Sequence, residues 1–163
     1  MAMAEHIRRL REKVGHELLV LPSVAVLPRN TAGEVLLVKV SDSGHWAAIG
    51  GAIEPDESPE EAAVRETQEE AGATVALGPL LGVLGGPAFR LTYANGDQTS
   101  YVTTVFDARV IDGEPKPDGD ETVAVGWWAV EDLPSDQMSK FTHALLAAVG
   151  MGPPVPMDPT NPS

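Results

Sequence analysis

The chain reads as an α/β (α+β) protein in which a mixed β-sheet is held between helices. Three observations predict this. Val- and Leu-rich runs of strand character lie on both sides of one well-bounded helix, an Asn-Gly turn joins two runs in the second half, and an amphipathic helix closes the fold. At 163 residues there is room for one domain with a proper core.

In chain order, Ile7, Leu10 and Val14 recur at helical spacing beside Arg8, Arg9, Arg11 and Lys13. Residues 1–15 are therefore expected to form an amphipathic helix with a basic side, serving as a flap or dimer arm. The main domain is expected over 16–150. His16 to Leu27 is a near-continuous apolar run in which Pro22 suggests a bulge or a sheet edge. Glu34 to Val40 follows as a second strand, and Ser41 to His45 is a polar loop. Gly50-Gly51 then lets backbone approach whatever sits at the head of the next helix.

That helix carries its own end signals. Ser58 is a good N-cap, Pro59 suits the first helical position, Glu61 completes a capping box, and Gly72 is placed to end it, so the helix should run from Pro59 to Ala71. At roughly 100° per residue, Glu66, Glu69 and Glu70 share one face, with Ala63, Val64, Thr67 and Ala71 on the adjoining one. Carboxylates three and four residues apart repel by a few tenths of a kcal/mol per pair, roughly. A hard divalent cation removes that conflict. The bland alternative is a solvated Glu-rich helix.

Beyond it, Thr74 to Gly85 reads as strand, broken at Gly78-Pro79. Asn95-Gly96 should turn a hairpin between long antiparallel strands, Phe89–Tyr93 and Thr99–Val110. Asp112 to Asp120 is a surface loop, and Thr122 to Trp128 is a strand whose two tryptophans face opposite ways. Asp136 to Val149 is the second major helix, and the proline-rich 151–163 is expected to be a flexible end.

Composition narrows the function. No apolar run approaches the roughly 18–20 residues of a membrane helix, and the charged N-terminus lacks a signal peptide's apolar centre, so a cytoplasmic location with no membrane partner is expected. The absence of cysteine excludes disulfides and thiolate chemistry. A net charge of −13 argues against binding a nucleic acid polymer, and an anionic substrate would need metal ions to admit it.

The pattern Gly51-x5-Glu57-x7-Arg65-Glu66-Thr67-Gln68-Glu69-Glu70-Ala71-Gly72-Ala73 resembles the Nudix box of the MutT-like hydrolases. It departs from the box at Thr67 and Ala73, where bulky aliphatics are usual, and at Ile49, where proline often precedes the double glycine. The resemblance implies an α/β/α sandwich with a mixed sheet between helices. It implies Mg2+-dependent, or Mn2+-dependent, hydrolysis of a pyrophosphate bond in a nucleoside diphosphate derivative, and a homodimer. It assigns metal ligation to Glu66, Glu69, Glu70 and the Gly50 carbonyl, with Glu57 in the outer metal network and Arg65 orienting the carboxylates. Glu121, in the loop before the tryptophan strand, is the expected base or additional ligand, with Asp120 as the neighbouring alternative. Gly51 and three basic residues, Arg29, Lys39 and Arg90, are candidates to meet substrate, a surface role being the alternative for each of the three. A proline about fifteen residues past the box, here Pro87, is a mark of the ADP-ribose branch, which favours ADP-ribose or another nucleotide sugar over nucleoside triphosphates. The absence of cysteine counts against the isoprenoid-diphosphate isomerase branch. A non-catalytic nucleotide-binding module would be expected to have lost box carboxylates, and none is lost here.

Overall fold

The computed structural model describes residues 3–152. It contains three α-helices, α1 (Glu5–Val14), α2 (Pro59–Ala71) and α3 (Lys140–Ala148), among the described residues. The strands are β1 (Leu19–Pro28), β2 (Val35–Val40), β3 (Trp46–Ala47), β4 (Ile49–Ala52), β5 (Thr74–Leu84), β6 (Arg90–Thr92), β7 (Gln98–Asp112) and β8 (Thr122–Trp128).

The single mixed sheet expected from the sequence is in fact two sheets. One has the order β4-β1-β7-β5, with β6 also on β7, and the other is β3-β2-β8. Parallel pairing of β1 with β7 makes the larger sheet mixed, while the remaining pairs are antiparallel. The alternation of side chains along a strand sends Val24, Val26, Leu36 and Val38 to one cluster, which Ala62, Ala63 and Ala71 of α2 cover. It sends Ala25, Leu27, Val35 and Leu37 to the other, which Ala144, Leu145 and Leu146 of α3 cover. Both sheets thus feed both clusters, and helices lie on either side: the expected sandwich.

Pro22 makes neither a bulge nor an edge strand, because β1 is central and unbroken between β4 and β7. It stands where β4 runs out. Its carbonyl accepts from the Ile53 N–H, 3.2 Å, and the missing amide falls past the end of the β1–β4 ladder. The break expected at Gly78-Pro79 is a register shift within one strand, between Leu77 and Leu80. The Asn95-Gly96 hairpin is present, with Gly96 at φ 93°, but β6 is only three residues long because Pro87–Phe89 winds into a 3-10 turn. That turn brings Phe89 edge-on to Phe141 of α3, ring centroids 5.1 Å apart.

The last helix starts later than expected. Ser139 caps it by accepting from the Thr142 N–H, and Met138 just before is bridged to Trp46, so the backbone at 138 is extended rather than helical. Trp127 and Trp128 do point opposite ways, one packing on each cluster. The flexible end expected over 151–163 lies outside the described residues from 153 onward. Met151 itself is buried against α3, so the domain reaches at least that residue.

Helix α1 departs most from its reading. Arg11, assigned to a basic outer side, is buried. Its guanidinium donates to the Glu17 and Gln98 carbonyls at 2.6 and 2.7 Å and lies 3.6 Å from Asp97, clamping α1 to the β6–β7 hairpin. Arg8 is spent on Glu5 and Glu12 of its own helix. No described helix is long and apolar enough to cross a membrane.

Candidate active site

Helix α2 forms where its end signals place it. Ser58 accepts from the Glu61 N–H, Glu61 returns a bond to the Ser58 N–H, and Gly72 closes the helix in the left-handed region at φ 61°. The acidic face does not stay uniform. Glu66 and Glu70 turn inward and are buried, their side chains shielded by β4 and the loop after it, while the Glu69 side chain is 59 % exposed at the rim. Val64, expected to pack, is 36 % exposed.

Glycine at position 51 is a steric requirement of this site. An ideal Cβ there would lie 2.6 Å from the Glu66 Cδ, well inside contact distance. At Gly50 a Cβ would stand 3.0 Å from the Ala25 Cα and closer still to the Val24 carbonyl. The Gly50 N–H donates to Glu70 Oε2 at 3.1 Å. Gly51 therefore lets β4 close over the Glu66 carboxylate, while Gly50 lets β4 lie tightly against β1 and gives its N–H to Glu70.

Arg65 joins the rest. Its Nε and one terminal nitrogen grip both oxygens of Glu57 at 2.7 and 2.9 Å. The other terminal nitrogen donates to Glu66 Oε1 at 2.8 Å and Glu69 Oε2 at 3.2 Å, and the Ala52 carbonyl takes a further bond at 3.1 Å. This forked pattern is available to arginine and not to lysine. The loop carrying Glu57 turns at Asp56, a non-glycine residue held at φ 65°, and Glu57 also accepts from the Glu54 N–H.

Electrostatics separate the acids. The Arg65 hydrogen bonds hold the Glu57 carboxyl below the usual carboxylate range. Burial pushes Glu66 upward against the pull of Arg65, with Glu69 and Glu121 adding like charge. Burial also pushes Glu70 well upward, reinforced by Glu66 and then by Glu121 and Asp118, with only the Gly50 N–H opposing.

Glu121 is thus brought to the acids of α2, and it lines the same cleft. That cleft has a volume of about 700 Å³ and runs from Glu66, Glu69 and Arg65 to Tyr93, Asn95 and Tyr101, with Ala4, Glu5 and Ile7 of α1 along one wall. Among the described residues lining it, Arg11 and Arg65 are the cations, and both are committed to the partners given above.

Arg29, Lys39 and Arg90 do not line this cleft. Arg29 forms a two-pronged pair with Asp107, 2.6 and 2.9 Å, at the far end of β1. Lys39 lies over the Trp46 ring, 6.0 Å from its centroid. Arg90 donates to Gln98 at 2.6 Å. Each was singled out for its charge alone, and each charge has a local partner. Pro87 is likewise outside the lining. Sequence reasoning missed Tyr93, Asn95 and Tyr101, whose place in the cleft depends on the hairpin meeting α1.

Among the described residues no three carboxylates or imidazoles converge on one point. The donor set nevertheless fits a hard divalent ion. Two buried carboxylates lie close enough to repel each other, a third stands at the rim, and that repulsion is what a dication reverses.

A glycine-lined acidic helix face, stapled by one arginine and opened to a cleft, defines a carboxylate platform of the kind used on phosphate esters and anhydrides. The profile of the NUDIX domain matches residues 19–149, and the chain belongs to that family. It is 36 % identical over 109 residues to a putative 8-oxo-dGTP diphosphatase of Bacillus subtilis, covering 67 % of this chain and 66 % of the relative. It is 38 % identical over 117 residues to a mouse diphosphoinositol polyphosphate phosphohydrolase, 3-alpha, covering 68 % of this chain and 65 % of the relative. The match thus spans just under two thirds of the length of these two relatives. Among solved structures, a MutT protein from Methanosarcina mazei superposes with a TM-score of 0.67 at 27 % identity, covering 82 % of this chain and 93 % of that one.

Proposed function

We propose that the protein hydrolyses a diphosphate bond in a nucleoside diphosphate derivative, using Mg2+ or Mn2+ held by Glu66, Glu69 and Glu70. One observation carries the reading: Glu66, Glu69 and Arg65 line one cleft with Glu121, and Gly51 packs so closely on the Glu66 carboxylate that nothing larger than hydrogen fits at that position. The bound cation supplies positive charge to the diphosphate oxygens and acidifies water.

The chain's own residues do the rest. Arg65, held by Glu57, sets the positions of Glu66 and Glu69, the carboxylates that would hold the ion. Glu70, kept in place by the Gly50 N–H, completes the anionic set, with the Gly50 carbonyl beside it in the same strand. Glu121 faces the pair from the loop and is the candidate to take a proton from the attacking water, as notional base in a site otherwise filled with ligands. Asp120 is its neighbouring alternative.

The cleft also bears on substrate. With both of its described cations committed, it offers little to a head group crowded with phosphates, as in the diphosphoinositol polyphosphates named for one relative. Tyr93 and Tyr101 line it instead and suit contact with a base or ribose, whereas the Asn95 amide is committed to Asp97. The volume, about 700 Å³, accommodates a nucleoside with a second group, which supports ADP-ribose or another nucleotide sugar. The similarity to a putative 8-oxo-dGTP diphosphatase supports nucleoside triphosphates as the second reading.

A panel of nucleotide sugars, dinucleoside polyphosphates, triphosphates and a diphosphoinositol polyphosphate, each with Mg2+, tests this. Mononucleotide products from the first three classes are expected, and preference for the inositol compound would refute the substrate reading.

A further inference from the structure

The loop between β7 and β8 is attached to the C-terminal end of α2 at two points. The Lys116 N–H donates to the Ala71 carbonyl at 2.9 Å, and the Thr122 hydroxyl donates to the Glu70 carbonyl at 2.8 Å. Both acceptors belong to the last turn of the helix, where carbonyls have no partner within the helix. Thr122 is 1 % exposed, so this contact is made in the protein interior, one residue from Glu121 and on the backbone of Glu70 itself.

Asp118 closes the loop from within. Its Oδ1 accepts from the N–H groups of Asp120 and Thr122, both at 2.9 Å, and its own N–H donates to the Thr122 hydroxyl at 3.1 Å. The Gly119 N–H donates to the Thr122 carbonyl at 2.9 Å, and the Glu121 carbonyl accepts from the Ser41 N–H at 2.9 Å. The backbone around Glu121 is therefore fixed on both sides, and its side chain is presented to the cleft that Glu66 also lines. An acidic surface loop with no such bonds would leave that side chain free to sample solvent.

We infer that Asp118 and Thr122 are positioning residues: together they bind the Glu121 loop to the Glu70 turn of α2, so that Glu121 shares one cleft with Glu66 and Glu69. This rests on the reading of Glu121 given above. All the side-chain bonds of Asp118 in the loop run to Oδ1, so Asp118→Asn keeps the acceptor while Asp118→Ala removes it. Likewise Thr122→Ser keeps the hydroxyl and Thr122→Val removes it at constant shape.

The test measures kcat and KM for ADP-ribose and for dGTP with Mg2+ in these four variants, in Glu121→Gln, and in Asp118→Ala combined with Glu121→Gln. Asp118→Ala and Thr122→Val should lower kcat about 10- to 100-fold, the range seen when groups that orient ligands are removed, with KM little changed. Asp118→Asn and Thr122→Ser should restore it. In the Glu121→Gln background Asp118→Ala should cost nothing further. Full activity of Glu121→Gln would overturn the reading of Glu121. Impairment of Glu121→Gln beside full activity of Asp118→Ala and Thr122→Val would overturn the positioning alone, as would an equal loss from Asp118→Ala in both backgrounds. Amide hydrogen exchange over residues 118–122 reads the same device without turnover. It should accelerate in Asp118→Ala and not in Asp118→Asn, and unchanged exchange in both would refute it.

Discussion

Replacing Glu70 by glutamine should make the metal-free protein more stable at pH 8 and leave it indifferent to Mg2+. The side chain is buried beside Glu66 and accepts a hydrogen bond from the Gly50 N–H at 3.1 Å, which the glutamine oxygen can also accept. Burial and the neighbouring acids raise its folded pKa, so its favourable contribution is complete below the ordinary carboxylate value of about 4.3 and is lost as pH rises through the raised value. Glutamine mimics the protonated acid at every pH. The two proteins should therefore melt together near pH 4 and diverge as the pH is raised toward 8. Relieving a poorly satisfied buried charge is worth about 1–3 kcal/mol. For a chain of this size that is about 2–10 °C in Tm. Mg2+ at a hundred times its Kd adds about 2.7 kcal/mol to the wild-type protein and should add almost nothing to the variant. Differential scanning fluorimetry across pH, with and without Mg2+, measures both. A glutamine variant less stable at pH 8, or one still stabilised by Mg2+, would refute the reasoning.

Three further outcomes follow from the geometry. Gly51→Ala should fold but lose activity at least about 10-fold, because its Cβ displaces the Glu66 carboxylate; unaltered kcat/KM would show that the carboxylate can move at no cost. Arg65→Lys should lose both the grip on Glu57 and the reach to Glu66, costing about 1–3 kcal/mol in urea unfolding together with most of the turnover, and a silent substitution would count against the staple. A homodimer is proposed, with Leu10, Leu18 and Val20 among the exposed apolar side chains available to an interface, and a monomer mass by light scattering at micromolar concentration would rule it out.

What the sequence made legible is what local chemistry decides. Helix α2 begins and ends where Ser58, Pro59 and Gly72 place it, because caps act within one turn. The Asn95-Gly96 hairpin was readable for the same reason. The division into two sheets was not, since it depends on β1 pairing in parallel with β7 some eighty residues away, and no local pattern specifies that partner. Charge misled where burial intervened. Arg11 and Arg29 look alike on paper, yet one clamps α1 beneath the surface and the other pairs with Asp107 away from the cleft. The box acids were legible as a group, but not their separation into a buried pair and a rim acid, which β4 imposes by lying over Glu66 and Glu70. Asp118 lies in what the sequence shows only as a surface loop; the structure gives it the backbone bonds that shape that loop.

The central claim is that the acids of α2 serve hydrolysis through a divalent ion. Turnover of the best substrate by Glu69→Gln at saturating Mg2+ tests it most directly, because Glu69 is exposed at the rim and its substitution leaves the core untouched. Loss of at least about 100-fold in kcat with an unchanged Tm is the expected result, since losing a ligand should cost no less than the roughly 10- to 100-fold that follows loss of a group orienting one. Near-normal kcat in that variant would contradict the account.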